Sequence, residues 1–177
     1  MNLELITSTF LIGVLAASLR LATPILLAAL GEIFVERAGI LNLGLEGMML
    51  MGALSGFLGA YWTGSLWVGV LAGMATGVVL GLLMGFMSIT VKANQVVAGL
   101  GITILGSGLS TLLFRLAFGL RTTPPTLDIF PALPVPLLSR IPWLGPILFQ
   151  HNILVYLSLI LVPIASLVLY RTHFGLK

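Results

Sequence analysis

Cysteine is absent from this sequence, and aspartate occurs once, at Asp128. Without thiols there can be no disulfide, no thiolate nucleophile and no cysteine-ligated metal. The one aspartate lies in a proline-rich stretch, so no Ser–His–Asp arrangement can be defended. Charge is equally scarce: 7% of the residues are charged and 59% are hydrophobic. A water-soluble domain needs roughly a quarter of its residues charged, which excludes a soluble fold. Residues 47–91 carry no charged side chain over 45 positions, about twice the roughly 20 residues that cross a bilayer as a helix. The alternating segments of about ten residues that mark a membrane β-barrel are missing. The net charge of +3 is scattered over loop ends, which argues against a nucleic-acid interface. No Lys or Arg precedes Arg20, so the first apolar run lacks the basic flank of a cleaved signal peptide and reads as a membrane segment.

What is present is apolar sequence in five spans. The chain reads as an all-α polytopic membrane helix bundle of about five transmembrane helices, at 9–30, 43–61, 66–90, 95–118 and 152–170. Residues 61–65, "YWTGS", make a tight turn between the second and third. A connection at 119–151 holds seven of the nine prolines, a density that prevents continuous helix; its run "LPVPLLSRIPWLGPILF" is apolar enough to lie on the membrane or pack on the bundle. Placing Arg37, Lys92, Arg171 and Lys177 in the cytoplasm puts Arg121, Arg140 and the aromatic group Tyr61, Trp62 and Trp67 at the outer side. Arg20 falls inside the first span, where it either faces the bundle or snorkels if the helix breaks near Pro24.

Glycine recurs every fourth position in the third span, at Gly69, Gly73, Gly77, Gly81 and Gly85, and Gly52 and Gly56 repeat the spacing in the second. Residues four apart share a helix face, so the pattern predicts close helix packing, which in lipid depends on dispersion contacts between small residues.

The stretch "GEIFVERAGILNLGLEG", residues 31–47, contains Glu32, Glu36, Arg37 and Glu46. Locally it reads as one helix ending and another beginning. Gly39 can take the left-handed conformation that closes a helix, Asn42 can cap the next, and Glu46 then lies near its positive end. Such a break is tolerated at membrane depth only where protein or water satisfies its backbone, and broken helices are where transporters bind solute. An ordinary cytoplasmic loop with solvated charges explains the local chemistry equally well.

Two motifs carry a resemblance. "LRLATPILLAALGEIFVERAGILNLGLEGMMLMGA" (19–53) followed by "KANQVVAGLGITILGSGLSTLLFR" (92–115) resembles the permease subunits of bacterial ABC importers. The likeness is to the nucleoside and simple-sugar branch, related to the ribose and branched-chain amino acid permeases, and it covers essentially the whole chain in order. It implies a single transmembrane permease domain over 1–177, the N-terminal part of a longer permease, since family members usually continue for a further hundred residues or more. It also implies a multi-pass protein of the bacterial inner membrane that moves nucleosides or related small polar solutes. Such a subunit is a transport component and no enzyme: ATP and Mg would be held by a cytoplasmic ATP-binding-cassette ATPase, with no cofactor on this chain. The other implied partners are a second permease subunit, identical or not, and an extracytoplasmic substrate-binding lipoprotein. The absence of a G-x-x-x-x-G-K-[ST] phosphate loop agrees with this. An ion-coupled carrier and a non-transporting scaffold are the alternatives.

The candidate solute-pathway residues are Asn42, Glu46, Asn94 and Gln95, whose polar groups suit a nucleobase or sugar and equally suit helix-start chemistry. The final "YRTHFGLK" resembles the stretch that enters the ATPase-docking segment, making Arg171, Thr172, His173, Phe174, Gly175 and Lys177 the candidate ATPase contacts. Glu32, Glu36 and Arg37 either face that partner or pair among themselves. His151 and His173 stand at opposite ends of the fifth span, roughly 30 Å apart at 1.5 Å per residue; they read as interfacial or solvated side chains, with no metal site between them.

Overall fold

In the computed structural model the backbone is described for residues 3–119 and 125–172, and side chains for 10–119, 125–139 and 141–172. Six α-helices are present among these: α1 (Leu3–Arg37), α2 (Leu45–Thr63), α3 (Leu66–Gly85), α4 (Gln95–Phe118), α5 (Leu144–Leu148) and α6 (Ile153–Arg171). Four of them are long and apolar enough to cross a membrane: Phe10–Arg37 of α1, α3 with its extension to Thr90, α4 and α6. The protein is thus an all-α, multi-pass membrane protein. The fifth expected span corresponds to α2, whose apolar run is limited by Glu46 at its start and by Tyr61, Trp62 and Thr63 at its end. The structure groups into two compact units, residues 32–129 and residues 1–31 with 130–177.

The first unit is built on α2. Gly64, at φ +69°, ends α2 by donating its N–H to the Ala60 carbonyl, and α3 begins two residues later, as the "YWTGS" turn predicts. The left-handed conformation costs glycine nothing, since no Cβ meets the following carbonyl. The two helices then pack glycine to glycine. A Cβ placed on Gly69 would stand 2.6 Å from the Gly56 carbonyl oxygen, and one on Gly73 would stand 3.1 Å from that of Gly52. Ser55 adds a hydroxyl bond to the Gly52 carbonyl and a longer one of 3.4 Å to Ala72 across the interface.

Gly77, Gly81 and Gly85 continue the same stripe yet meet nothing within 4 Å. The repeat therefore divides into a packed half and an open half. Gly81→Ala is expected to leave the folded fraction of this chain in detergent unchanged, or to raise it slightly, because alanine is the better helix former by about 1 kcal/mol. The same change at Gly69 is expected to lower it, and equal effects at the two positions would contradict the division.

Helix α3 loosens at its end into a π-helical turn, Phe86–Thr90, closed by a Val91 N–H to Phe86 carbonyl bond. Asn94 then caps α4, its Oδ1 accepting from the N–H groups of Val96 and Val97. Helix α4 runs beside α2, start against start. Met48, Leu80, Met84, Ala98 and Ile102 form the shared core.

Helix α1, whose residues up to Gly31 belong to the second unit, continues through Pro24 without interruption and passes the expected end at residue 30 to reach Arg37. Arg20, one turn before the proline, is exposed. The proline-rich connection contains no long helix. It holds a two-residue antiparallel pairing of β1 (Leu133–Pro134) with β2 (Gln150–His151) and the short α5. His151, read from the sequence as interfacial or solvated, is not solvated. It is 1% exposed, its Nε2 lies 2.7 Å from the Ile147 carbonyl oxygen, and its N–H donates to the Tyr156 hydroxyl. That hydroxyl in turn donates to the Leu133 carbonyl, so one tyrosine ties both strands to α6. Asn152 caps α6 through Val155 N–H.

Candidate functional site

The polar chemistry of the first unit gathers at the two ends of the α2–α4 pair. One end is the break between α1 and α2. Helix α1 closes in a Schellman arrangement, with Gly39 at φ +81°, its N–H donating to Glu36 and the Ile40 N–H to the Val35 carbonyl. The next residues are neither helix nor strand, so their N–H groups need partners from elsewhere. Side chains supply them. Leu41 N–H donates to Gln95 Oε1 at 2.8 Å, Asn42 N–H to Glu32 Oε1 at 3.0 Å, and Gly44 N–H to Asn42 Oδ1 at 3.0 Å. On the acceptor side, Thr103 Oγ1 donates to the Leu43 carbonyl and Gln95 Nε2 to that of Gly39.

Three chain segments are thereby fastened together: the end of α1, the break, and the start of α4. Glycine permits the approach. A Cβ on Gly99 would stand 2.9 Å from the Leu43 and Gly44 backbone nitrogens.

The structure places the four pathway candidates at this end but gives them different duties. Asn42 is buried and its amide is committed, with Oδ1 bonded to Gly44 N–H and Nδ2 3.6 Å from the Met48 sulfur. It does not cap α2, since Gly44 occupies that position with no side-chain bond; Asn42 instead closes the turn just before it. Both polar atoms of Gln95 are engaged with the break. Asn94 caps α4 with its oxygen and borders an apolar groove of about 430 Å³ between α3 and α4. Glu46 is exposed in the first turn of α2, where the helix dipole favours a carboxylate. Glu32 contributes one oxygen to the break, and its Oε2 is buried with no hydrogen-bond partner among the described residues. Of the ATPase-contact candidates, Arg171 ends α6 and Thr172 follows it, its hydroxyl bonded to the Val168 carbonyl. His173, Phe174, Gly175 and Lys177 lie outside the described residues.

The other end was not singled out by sequence. Phe57 and Tyr61 of α2 meet Phe114 and Phe118 of α4 in a ring cluster. Phe57 stacks on Tyr61 at 6.0 Å, and Phe114 lies 6.1 Å from Phe57 and 5.0 Å from Phe118. Beside it a groove of about 400 Å³ is lined by Ala53, Leu54, Phe57, Ser110, Thr111, Phe114 and Arg115. The signal was available: Ser107, Thr111 and Arg115 stand four residues apart in a mostly apolar helix, and so share one face.

Residues 14–177 match the family described as the permease component of the branched-chain amino acid transport system. The chain belongs to this permease family. It is 40% identical over 173 residues to a putative glucose ABC transporter permease of Haloferax volcanii, covering 96% of this chain and 51% of that protein. It is 33% identical to the guanosine ABC transporter permease of Bacillus subtilis, covering 93% of this chain and 54% of the relative. A nucleoside ABC transporter permease of Lactococcus lactis is 29% identical over the same shares. The chain thus spans about half the length of the curated relatives it matches. No solved structure matches it.

Proposed function

We propose that this chain forms part of the membrane permease of an ATP-binding-cassette importer, moving nucleosides or related small polar solutes such as simple sugars across the inner membrane. The observation that carries the reading is the family match over 164 of 177 residues, which includes the broken segment between α1 and α2. Irregular backbone in a membrane protein survives where side chains or a water-filled path satisfy it, and such breaks adjoin solute sites in transporters.

On this reading Asn42 and Gln95 shape the pathway by holding the break. Glu46, the Asn94 amide nitrogen and Glu32 Oε2 are the groups left to meet a solute. The chain carries no ATPase site. ATP and Mg belong to a cytoplasmic ATPase, docked near Arg171, Thr172 and the residues that follow. A second permease subunit and an extracytoplasmic binding lipoprotein complete the assembly.

Membrane vesicles containing the assembled transporter are expected to accumulate labelled guanosine or glucose only when ATP is supplied on the ATPase side, while this chain alone hydrolyses none. Uptake driven by a sodium or proton gradient without ATP would overturn the reading in favour of an ion-coupled carrier.

A further inference from the structure

We infer that the groove between α2 and α4 is a binding site for a 6-oxopurine nucleoside, such as guanosine or inosine. The inference rests on the permease reading above and assigns a solute class to an end of the helix pair for which the sequence named no candidate solute residue.

The groove has three kinds of wall. Phe57 and Phe114 supply aromatic faces, and both rest on Phe118, which is 6% exposed, edge-on to Phe57 at 5.8 Å and tilted against Phe114 at 5.0 Å. Rings braced by a neighbour suit stacking, because part of their side-chain freedom is already lost before binding. A flat heteroaromatic base matches such a wall, and stacking accepts any base that presents a π face.

Arg115 supplies the second wall. Its guanidinium offers donors only, and among the described residues no carboxylate lies within ion-pair distance of it. A donor fork with no acidic partner selects a ligand edge made of acceptors. The O6 and N7 of a 6-oxopurine form such an edge, which arginine contacts in a bidentate manner. The 6-amino group of adenine would instead oppose donor with donor.

The third wall is hydroxyl. Ser110 and Thr111 both donate to the Ser107 carbonyl, at 3.0 Å and 2.9 Å. Their protons are therefore used, and they turn lone pairs outward. Acceptors of that kind fit the hydroxyl donors of a ribose. A free monosaccharide suits the groove less well, because its hydroxyls point in all directions while Ala53, Leu54 and two rings offer most of them no partner. The volume of about 400 Å³ lies within the roughly 300–1,000 Å³ of small-molecule sites.

Photolabelling with tritiated 8-azidoguanosine tests this in membranes holding the assembled transporter, with no ATP required. Label is expected in peptides from α2 or α4, displaced by unlabelled guanosine at concentrations where adenosine and glucose leave it. Phe114→Leu is expected to weaken labelling roughly tenfold. Arg115→Gln, at an exposed position that keeps the fold, is expected to remove most of the preference for guanosine over adenosine, a loss of about tenfold or more. The assignment fails if both variants label and discriminate like the parent, if glucose displaces the label as well as guanosine does, or if label is not displaced at all, as a groove filled by lipid or another helix would give. Because ATP-driven uptake is a separate measurement, vesicles that transport normally while the groove variants have no effect would overturn this site and leave the permease reading standing.

Discussion

Replacing Gly106 with alanine is expected to destabilise the α2–α4 pair by about 3 kcal/mol, the upper end of what overpacking usually costs, and leucine there is expected to prevent the pair from forming. The reason is backbone against backbone. A Cβ on Gly106 would stand 2.5 Å from the Gly47 carbonyl oxygen and 2.7 Å from the Gly47 Cα, and a Cβ on Gly47 would stand 2.5 Å from the Ile102 carbonyl oxygen. No flexible side chain is available to move aside, so relief requires the helices to separate. Separation loses the dispersion contacts that replace a hydrophobic drive in lipid and opens the core of Met48, Ala98 and Ile102. Loss of folded protein on titrating the detergent-purified chain with SDS measures the effect. A Gly106→Ala protein as stable as the parent would show that the α2–α4 approach is looser than described.

The second large effect is expected at the break. Gln95→Leu removes the acceptor of the Leu41 N–H and the donor to the Gly39 carbonyl together. Both bonds lie at exposed positions, so the variant is expected to lose about 1–3 kcal/mol in all, the net worth of two hydrogen bonds at about 0.5–1.5 kcal/mol each. Glu32→Leu orphans the Asn42 N–H and is expected to cost about 1–3 kcal/mol. Glu32→Gln keeps an oxygen at the same place and is expected to retain most of the stability. This contrast separates the acceptor from the charge. If Glu32→Gln is as damaging as Glu32→Leu, the negative charge itself is what the site requires. Since the two side chains secure adjacent N–H groups of one short segment, the double variant Glu32→Leu with Gln95→Leu is expected to lose less than the sum of the singles.

The break was legible in the sequence because its causes are local. Gly39 takes the left-handed turn that its position after the Glu36–Arg37 turn predicts, and Asn94 caps α4 with its own side chain. Asn42 misled for an equally local reason. An asparagine just before a helix can bond the N–H two residues on, whether it is the cap or the residue that turns the chain toward it. Here Leu43 and Gly44 stand between Asn42 and α2, so the same kind of bond forms two residues earlier. The partners of the break were invisible. Gln95 lies 54 residues from Leu41, and no local pattern announces a contact of that range. His151 shows the same limit, since the strand partner it pairs with is Leu133, a residue distant in sequence.

Composition by itself determined that this chain is a helical membrane protein, because 59% apolar and 7% charged residues leave no way to cover a soluble surface. The two long motifs determined its kinship with the importer permeases, since their residue order survives without any coordinates. Tertiary structure decided how the polar residues and glycines are used. A four-residue spacing fixes which side chains share a face, but what that face meets depends on a helix elsewhere in the chain. Gly69 and Gly73 therefore pack while Gly77, Gly81 and Gly85 stay open among the described residues, Gln95 is spent on backbone, and Arg115 stands beside a wall of rings with no carboxylate partner among the described residues.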